Sequence, residues 1–328
     1  MTPNRGLALL RRLFGTHLDG QAALLAELRA LREVESASAA KLEAMQLGLS
    51  RLQAVLQHGQ AQRRQLAQAS IVAADGRHAD PLSLTRHHAQ VYSQNGEDGL
   101  IAEIFRRIGP GGRTFLEVGV ESGVQNNTRL LLEQGWCGIW VEASRRHAEE
   151  AARRFAEPIA AGRLTILCTM AAPATLDAVL DRAGAPARFD FLSLDIDQHT
   201  SHLWRGLRRR TRVACIEYNA SLPASLAAEV PFEAARSWDG TSWFGASLKT
   251  MEMIGAAKGL HLVGCERVGA NAFFVDAAET AGRFRAPFTA ETHWEPPLYA
   301  LVAQTGHPPA QAARPWLGAP AAKARPAA

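Results

Sequence analysis

The chain has 328 residues, a formal net charge of +4, 47% hydrophobic residues and 21% charged residues. This length allows one large domain with an extension, and the composition is typical of a chain that builds a hydrophobic core. No run approaches 18 consecutive apolar residues, so we expect no transmembrane helix, and the apolar run LALL near the start is too short for a signal peptide.

Charge and cysteine usage exclude several classes of function. The four cysteines lack a CxxC spacing, which is typical of buried thiols in a reducing cytoplasm rather than of a zinc site. The one dense basic run, RGLRRRTR at residues 205–212, does not by itself predict nucleic-acid binding. We therefore expect a cytoplasmic protein without a nucleic-acid partner.

Residues 1–70 carry a helical pattern. Apolar residues recur with alternating spacings of three and four, and Glu35 and Ser38 occupy two positions of the same seam between its halves. This spacing predicts a long helix that forms a coiled coil with a second copy, and hence a homo-oligomer. The alternative is a helix that packs on its own domain. The seam residues are Leu24, Leu28, Leu31, Leu42, Met45, Leu49, Leu52 and Leu56.

After a linker predicted at residues 71–88, short apolar runs alternate with helical patterns from residue 89 to about residue 300. Such alternation predicts an α/β fold with a doubly wound, mostly parallel, Rossmann-like sheet. Two closely spaced runs at the end predict an antiparallel last strand. The tail, residues 301–328, is rich in Pro and Ala and is predicted to be disordered. The predicted strands are RTFLEVGV, CGIWVEA, RLTILCT, FDFLSLDID, RVACIEYN, LHLVGCE and NAFFVD.

The turn after the first predicted strand, FLEVGVESG, has the features of a ligand crevice. Gly119 and Gly123 allow close approach of the backbone to a ligand, and Glu117 suits a cationic ligand better than a pyrophosphate. Glu142 ends the second strand, where an acid is able to accept both hydroxyls of a ribose. Together these residues favour an adenosine-containing ligand of positive charge, whereas a tight turn without a ligand is the alternative.

Polar residues crowd the segment SQNGED before the first helix of this region. Asn95 or Ser93 is a candidate helix cap, with Glu97 and Asp98 complementing the helix dipole. A cap needs only one of these residues, so a further role for this segment stays open.

A series of motifs in this order resembles the bacterial branch of the FkbM-like methyltransferases, over about residues 90–276. The resemblance implies a class I methyltransferase fold, S-adenosylmethionine as the methyl donor, and O-methylation of a hydroxyl on a glycan or glycosylated product. It also implies that Glu117, Gly119 and Gly123 line the methionine part of the donor and that Glu142 holds its ribose. Ser93 and Gln94 would close over the donor from the amino-terminal side. The motifs are YSQNGEDGLI, FLEVGVESG, NNTRLLLEQGWCGIWVEAS, FLSLDID, CIEYN, FGASL and NAFFV.

Asp195 and Asp197 end the predicted strand FLSLDID and are the candidate catalytic bases for deprotonating the acceptor hydroxyl. His199 and His202 are the alternatives by location. With Glu217 and Asn219, the two aspartates also form a set of oxygen ligands that suits Mg²⁺. Two other functions stay open on these residues: a metal-dependent glycosyltransferase with a DxD motif, and a non-catalytic coiled-coil scaffold with a degenerate methyltransferase domain.

Overall fold

The computed structural model describes residues 24, 27–29, 31–39, 41–53, 55–56, 70, 76–298 and 316–318. The chain divides into two compact units, Met1–Arg63 and Arg64–Ala328. In the first unit every described residue between 24 and 56 is helical and exposed. The predicted helix is therefore confirmed at these residues, and its pairing with a second copy stays a prediction.

The second unit is built on a seven-stranded sheet with the strand order β3-β2-β1-β4-β5-β8-β7. Strands β1 to β5 pair in parallel, and β8 joins β5 and β7 in antiparallel pairs. This confirms the predicted α/β fold with an antiparallel last strand. The sheet strands are β1 (Thr114–Val118), β2 (Cys137–Glu142), β3 (Leu164–Cys168), β4 (Arg188–Leu194), β5 (Arg210–Glu217), β7 (Leu260–Cys265) and β8 (Asn271–Asp276).

Helices cover both faces of this sheet, because its strands carry apolar side chains on both faces that must be buried. Phe115 joins the core beneath α1, α2 and α3, whereas the next residue, Leu116, joins the core beneath α5, α6 and α7. The helices are α1 (Glu97–Ile108), α2 (Arg129–Glu133), α3 (Arg145–Arg154), α4 (Ala156–Ala160), α5 (Leu176–Arg182), α6 (Thr200–Gly206), α7 (Leu248–Ala257) and α8 (Ala290–His293).

The topology places a crevice at the carboxyl ends of the central strands. Strand β1 has β2 on one side and β4 on the other, so the connections leave β1 in opposite directions. Doubly wound sheets bind ligands at such a switch point, outside the carboxyl ends of the strands. The predicted site residues after β1, β2, β4 and β5 all belong to this edge.

The predicted linker and tail contain structure where they are described. Two 3₁₀ turns, Gly76–Ala79 and Thr85–His87, replace a plain linker, and Leu84 between them is buried in the core. In the tail, β9 (Leu317–Gly318) pairs in antiparallel fashion with β6 (Ala228–Glu229). The prediction of a disordered tail therefore does not hold for Trp316–Gly318, and its other residues lie outside the described part.

Charge pairing accounts for most of the basic run at residues 205–212. Arg205 binds Glu229, Arg209 binds Asp181, and Arg212 binds both Asp190 and Glu279. Guanidinium groups held in this way are already neutralised by carboxylates, so the run is structural rather than a free basic patch. Among the helices described, none combines the length and the apolar composition that crossing a bilayer requires.

Candidate active site

The loop after β1 follows a path that only small or strained residues allow. Gly119 has φ +87°, and a Cβ there would collide with the carbonyl oxygen of Asp195. Gly123 has φ +73°, and a Cβ there would lie 2.7 Å from the rings of Phe155 and Trp140. Glu121 adopts a left-handed φ of +49°. Protein atoms thus fill the Cβ side of both glycines, which explains these glycines even without a bound ligand.

Glu117 organises this loop. The carboxylate is buried and accepts hydrogen bonds from the backbone N–H groups of Asn127 and Thr128, at 2.8 and 3.0 Å. It also accepts from the Asn126 amide at 2.9 Å and the Thr128 hydroxyl at 2.5 Å. Three of these bonds end on Oε2 and one on Oε1, so most of the carboxylate's capacity serves the loop. A direct contact between Glu117 and the donor stays a prediction.

Glu142 at the end of β2 keeps part of its capacity to accept hydrogen bonds. Its two oxygens each accept one backbone N–H, from Glu121 at 2.8 Å and from Ser144 at 2.7 Å. The remaining lone pairs are able to accept further hydrogen bonds, such as those of two ribose hydroxyls. The Glu121 bond also ties the end of β2 to the loop after β1, so the two predicted donor-binding segments are neighbours.

The segment SQNGED forms a turn in which Ser93 and Asp98 bind each other. Gly96 directly precedes α1, and the Ser93 hydroxyl oxygen accepts the backbone N–H of Asp98 in the first turn of the helix, at 3.1 Å, as predicted for a cap. The Asp98 carboxylate reaches back and accepts the backbone N–H groups of Val91, Tyr92 and Ser93. The Ser93 hydroxyl is buried and donates to the same carboxylate at 2.8 Å. Ser93 is therefore committed to this turn, and Gln94 is exposed.

Glu97 belongs to the crevice and was not among the predicted site residues. It is the first residue of α1, yet its side chain is buried and accepts from the Asn271 amide at 2.9 Å. Asn271 lies opposite Glu217 in the β5–β8 ladder, so Glu97 reaches the carboxyl end of β5. Its charge also contributes to raising the pKa of Asp195. The signal in the sequence was that the segment SQNGED contains more acids than a helix cap needs, and Glu97 is one of them.

Asp195, Asp197 and Glu217 come together at this edge. Each offers a carboxylate oxygen, and these oxygens lie within 4.8 Å of one another. Strand β4 ends at Leu194, so the two aspartates follow the strand instead of sharing one of its faces. Asp197 adopts a left-handed φ of +57°, which turns the chain into the 3₁₀ turn Asp197–His199. These acids therefore lie close together because of the turn after β4, and not because their side chains point to the same face of a strand.

Burial shifts the protonation of this cluster. Burial first, and then the charge of Asp197, raise the pKa of Asp195 to about 7. Burial and the charges of Asp195 and Asp197 raise the pKa of Glu217 well above its usual range. Like charges this close disfavour full ionisation, so the cluster retains a proton more readily than separate carboxyl groups do. Asp195, with a pKa of about 7, is able to gain and lose a proton near neutral pH.

Three other predicted residues have different surroundings. The Asn219 amide donates to the carbonyl oxygens of Ser242 and Phe244, and its oxygen accepts from Ser221. Asn219 thus fixes the loop after β5, and its role as a metal ligand stays a prediction. His199 lies in the 3₁₀ turn itself, and His202 lies in α6.

The crevice is acidic without compensating bases. Glu121 also faces this group, since its charge raises the pKa of Asp197 after burial does. Within residues 76–298, none of these acids forms an ion pair with a lysine, arginine or histidine. The acids are Glu97, Glu117, Glu121, Asp195, Asp197 and Glu217. Buried acids without a base favour a cationic occupant or retain protons.

No protein-family model matches this sequence, and no curated protein matches it. Solved structures of similar shape include the N-terminal domain of EvdMO1 with SAH bound, at 15% identity and a TM-score of 0.37, covering 56% of this chain and 80% of that one. Magnesium protoporphyrin IX methyltransferase (ChlM) from Synechocystis PCC 6803 with bound SAM has 14% identity, a TM-score of 0.35, and coverage of 54% and 76%. Likeness at these TM-scores does not establish a shared function.

Proposed function

We propose that this chain is an S-adenosylmethionine-dependent O-methyltransferase that methylates a hydroxyl of a glycan or glycosylated product. The observation that carries this proposal is the acidic crevice at the switch point of the sheet, in which no described base pairs with the acids. A sulfonium with a free amino group carries the positive charge that this crevice lacks. The FkbM-like motifs of the sequence are consistent with the same reaction.

The residues around the crevice divide the work of holding such a donor. Glu142 has lone pairs left for the two ribose hydroxyls. Glu117 keeps the loop after β1 in place through its bonds to residues 126–128. Glu97, Asp195 and Asp197 supply the negative potential that attracts the cation. Ser93 supports this site indirectly, by fixing the turn that precedes Glu97.

Methyl transfer requires alignment and the removal of one proton. The donor supplies an activated methyl group, whose carbon–sulfur bond breaks as the acceptor oxygen forms its bond to carbon. Asp195 takes the hydroxyl proton of the acceptor, and its pKa of about 7 leaves enough carboxylate for this at neutral pH. Glu217 lies beside Asp195 and accepts the Thr200 hydroxyl at 2.8 Å, and burial and the charge of Asp195 raise the pKa of Glu217.

A divalent cation is the competing occupant of the acid cluster. Asp195, Asp197 and Glu217 offer hard oxygen ligands at a spacing that Mg²⁺ accepts. A bound Mg²⁺ would polarise the acceptor hydroxyl. The same cluster favours the rival function, a glycosyltransferase whose acids hold Mn²⁺ on a nucleotide diphosphate. Such an enzyme would not need Glu142 at the end of β2.

Calorimetric titration separates these functions. We expect S-adenosylmethionine and S-adenosylhomocysteine to bind without added metal, whereas UDP-glucose does not bind with or without Mn²⁺. Binding of UDP-glucose only with Mn²⁺ would establish the glycosyltransferase, and binding of neither ligand would leave the scaffold. Binding of the methyl donor only after Mg²⁺ is added would assign the metal to the acid cluster.

Glu142→Ala provides the matching test of the donor site. We expect this variant to lose donor binding, because the two ribose hydroxyls lose their acceptor, while far-ultraviolet circular dichroism shows the fold unchanged. Glu149→Ala, which alters an exposed acid of α3 that pairs only with Arg145, is the control and should bind as the unmodified protein does. Unchanged affinity in Glu142→Ala would remove the proposed donor site.

We further propose that the protein acts in the cytoplasm and assembles through the apolar seam of its amino-terminal helix. The free cysteines support the cytoplasmic location, and the exposed apolar residues of the seam support the assembly.

A further inference from the structure

One hydroxyl group joins the elements that carry the acid cluster. Thr200 is the first residue of α6, and its side chain is fully buried. Its Oγ1 accepts the backbone N–H of Ile196 at 3.2 Å and donates to Oε2 of Glu217 at 2.8 Å. A backbone N–H only donates, so the hydroxyl uses a lone pair for Ile196 and its own proton for Glu217. This hydroxyl therefore connects the turn after β4, the start of α6 and the end of β5.

The backbone of Asp195 is held on both sides. Its N–H donates to the carbonyl oxygen of Val118 at 3.1 Å, and a Cβ on Gly119 would collide with its carbonyl oxygen. On the other side, the next residue, Ile196, is bonded to Thr200. Val118 and Gly119 form the end of β1 and the start of the loop of the proposed donor site. Thr200 therefore fixes the position of Asp195 relative to that loop.

A role of Thr200 in capping its helix does not explain these bonds. The cap position of α6 belongs to His199, and no side-chain hydrogen bond caps this helix. A capping side chain accepts an N–H group from within the first turn. Thr200 instead accepts from a residue four positions before it. Its hydroxyl thus serves the turn that carries the acids.

The acid cluster needs such a connection because its members repel one another. Carboxylate oxygens of Asp195, Asp197 and Glu217 lie within 4.8 Å of one another. Like charges at this distance push a turn away from the neighbouring strand unless other bonds hold it. Thr200 opposes that movement, because the same oxygen atom binds both the turn and Glu217.

We propose that Thr200 is a positioning residue of the methyl-transfer site. Its hydroxyl holds the turn with Asp195 and Asp197 against Glu217, so that the negative charge of the turn faces the sulfonium of the bound donor. This inference rests on the proposed function and deepens it, because it assigns the placement of that charge to one neutral side chain. Thr200 acts only through these acids.

Two ligands that differ by one charge test this role. Sinefungin has a carbon with an ammonium group where S-adenosylhomocysteine has a neutral sulfur, so the ratio of their affinities reports the negative charge at that point. We expect the unmodified protein to bind sinefungin more tightly in calorimetry with EDTA present. Thr200→Val keeps the shape of the side chain without the hydroxyl. It should lower the ratio about tenfold, as a cation loses a close carboxylate, and leave the affinity for S-adenosylhomocysteine unchanged.

Matched variants separate positioning from stability. Thr200→Ser keeps the hydroxyl and should keep the ratio, whereas Thr200→Ala removes it by a second route if valine prevents folding. Thr211→Val is the control, because the buried Thr211 hydroxyl donates to the Val213 carbonyl at the opposite end of β5. In a protein that carries Asp195→Asn and Asp197→Asn, the change Thr200→Val should not alter the ratio further, since it acts through the same charges.

The results distinguish this inference from the function on which it rests. An unchanged ratio in Thr200→Val and Thr200→Ala would overturn the positioning role and leave the methyltransferase intact. An equal loss of affinity for both ligands would do the same, because a merely structural role has that effect. Binding of neither ligand to the unmodified protein would overturn the methyltransferase and this inference together.

Discussion

Asp195 is the residue on which the proposed chemistry depends. Burial and the charge of Asp197 raise its pKa to about 7, so it accepts a proton within the physiological range. We predict that Asp195→Asn retains donor binding but lowers turnover by about 10²–10⁴-fold, the usual contribution of a positioned base. Formation of S-adenosylhomocysteine is the readout. Asp181→Asn, on the exposed end of α5, is the control, and full activity of Asp195→Asn would transfer the role to another group.

Single residues also show which contacts of the candidate site could not be predicted from the sequence. The pairing of Glu142 with the turn around Gly119 was predictable, because strand ends of a parallel sheet meet at one edge. The role of Glu97 was not, since its burial depends on Asn271, which lies 174 positions further along the chain. Ser93 was assigned to the donor, whereas its hydroxyl is bonded to Asp98. Short motifs identify which residues matter better than they identify what each one touches.

At the scale of elements, the turn between β7 and β8 contains a buried acid. Glu266 is fully buried and accepts the backbone N–H groups of Val268 and Asn271. Burial, and then the charge of Glu97, raise its pKa to about 8. Because the folded pKa lies above the ordinary value of about 4.5, the folded state binds the proton more tightly than the unfolded state does.

This difference predicts a pH-dependent stability. The contribution of Glu266 is fully present below pH 4.5 and is lost as the pH rises through about 8. We expect the free energy of unfolding, measured by urea denaturation, to fall between these pH values. Glu266→Gln should make that fall less steep, although Glu117 and Asp195, whose pKa values burial raises to about 7, keep part of it. Glu133→Gln, an exposed change in α2, should leave the slope as it is, and an unchanged slope in Glu266→Gln would contradict the prediction.

The strand pair β6–β9 is a second element with a consequence. Leu317–Gly318 extend Ala228–Glu229 as an edge strand, and the ring of Trp316 lies 6.2 Å from that of Trp243. Trp243 also carries the guanidinium of Arg236 over its ring, at 4.9 Å. Through Trp243 and Arg236, the carboxyl-terminal segment is connected to the irregular loop at residues 231–242.

Removal of this anchor should loosen the loop. We predict that Trp316→Ala raises hydrogen exchange of the amides in residues 228–243 by about tenfold, because a two-residue strand has little stability without its ring contact. Exchange in α3 serves as the internal control. Equal exchange in the loop of both proteins would mean that Trp316 does not hold it.

The strands of the main sheet and the pair β6–β9 differ in how well the sequence predicts them. Each strand of the main sheet was predicted, since a run such as NAFFVD combines burial, β-branched or aromatic residues and flanking turns. The pair β6–β9 was not predicted, because two-residue strands have no periodicity and their partners lie 88 or more residues apart. Local patterns predict long elements, whereas short non-local pairs depend on the finished fold.

At the scale of the whole molecule, the amino-terminal helix presents an apolar seam. Leu42, Leu49 and Leu52 are 60%, 59% and 57% exposed, and their spacing places them on one stripe of a helix. Exposed apolar stripes of this length in water are typical of interaction surfaces. The seam therefore predicts a self-association that the crevice does not require.

Substitutions on and off the seam test this directly. We predict that Leu49→Glu lowers the mass measured by light scattering to that of a smaller oligomer, because a charge in the seam has no partner when helices pack. Leu47→Glu is the matched control: Leu47 is also exposed, at 54%, but lies off the seam, so the mass should not change. Removal of residues 1–70 should have the effect of Leu49→Glu while leaving S-adenosylhomocysteine binding intact. Equal masses for all these proteins would mean that the helix does not assemble copies of the chain.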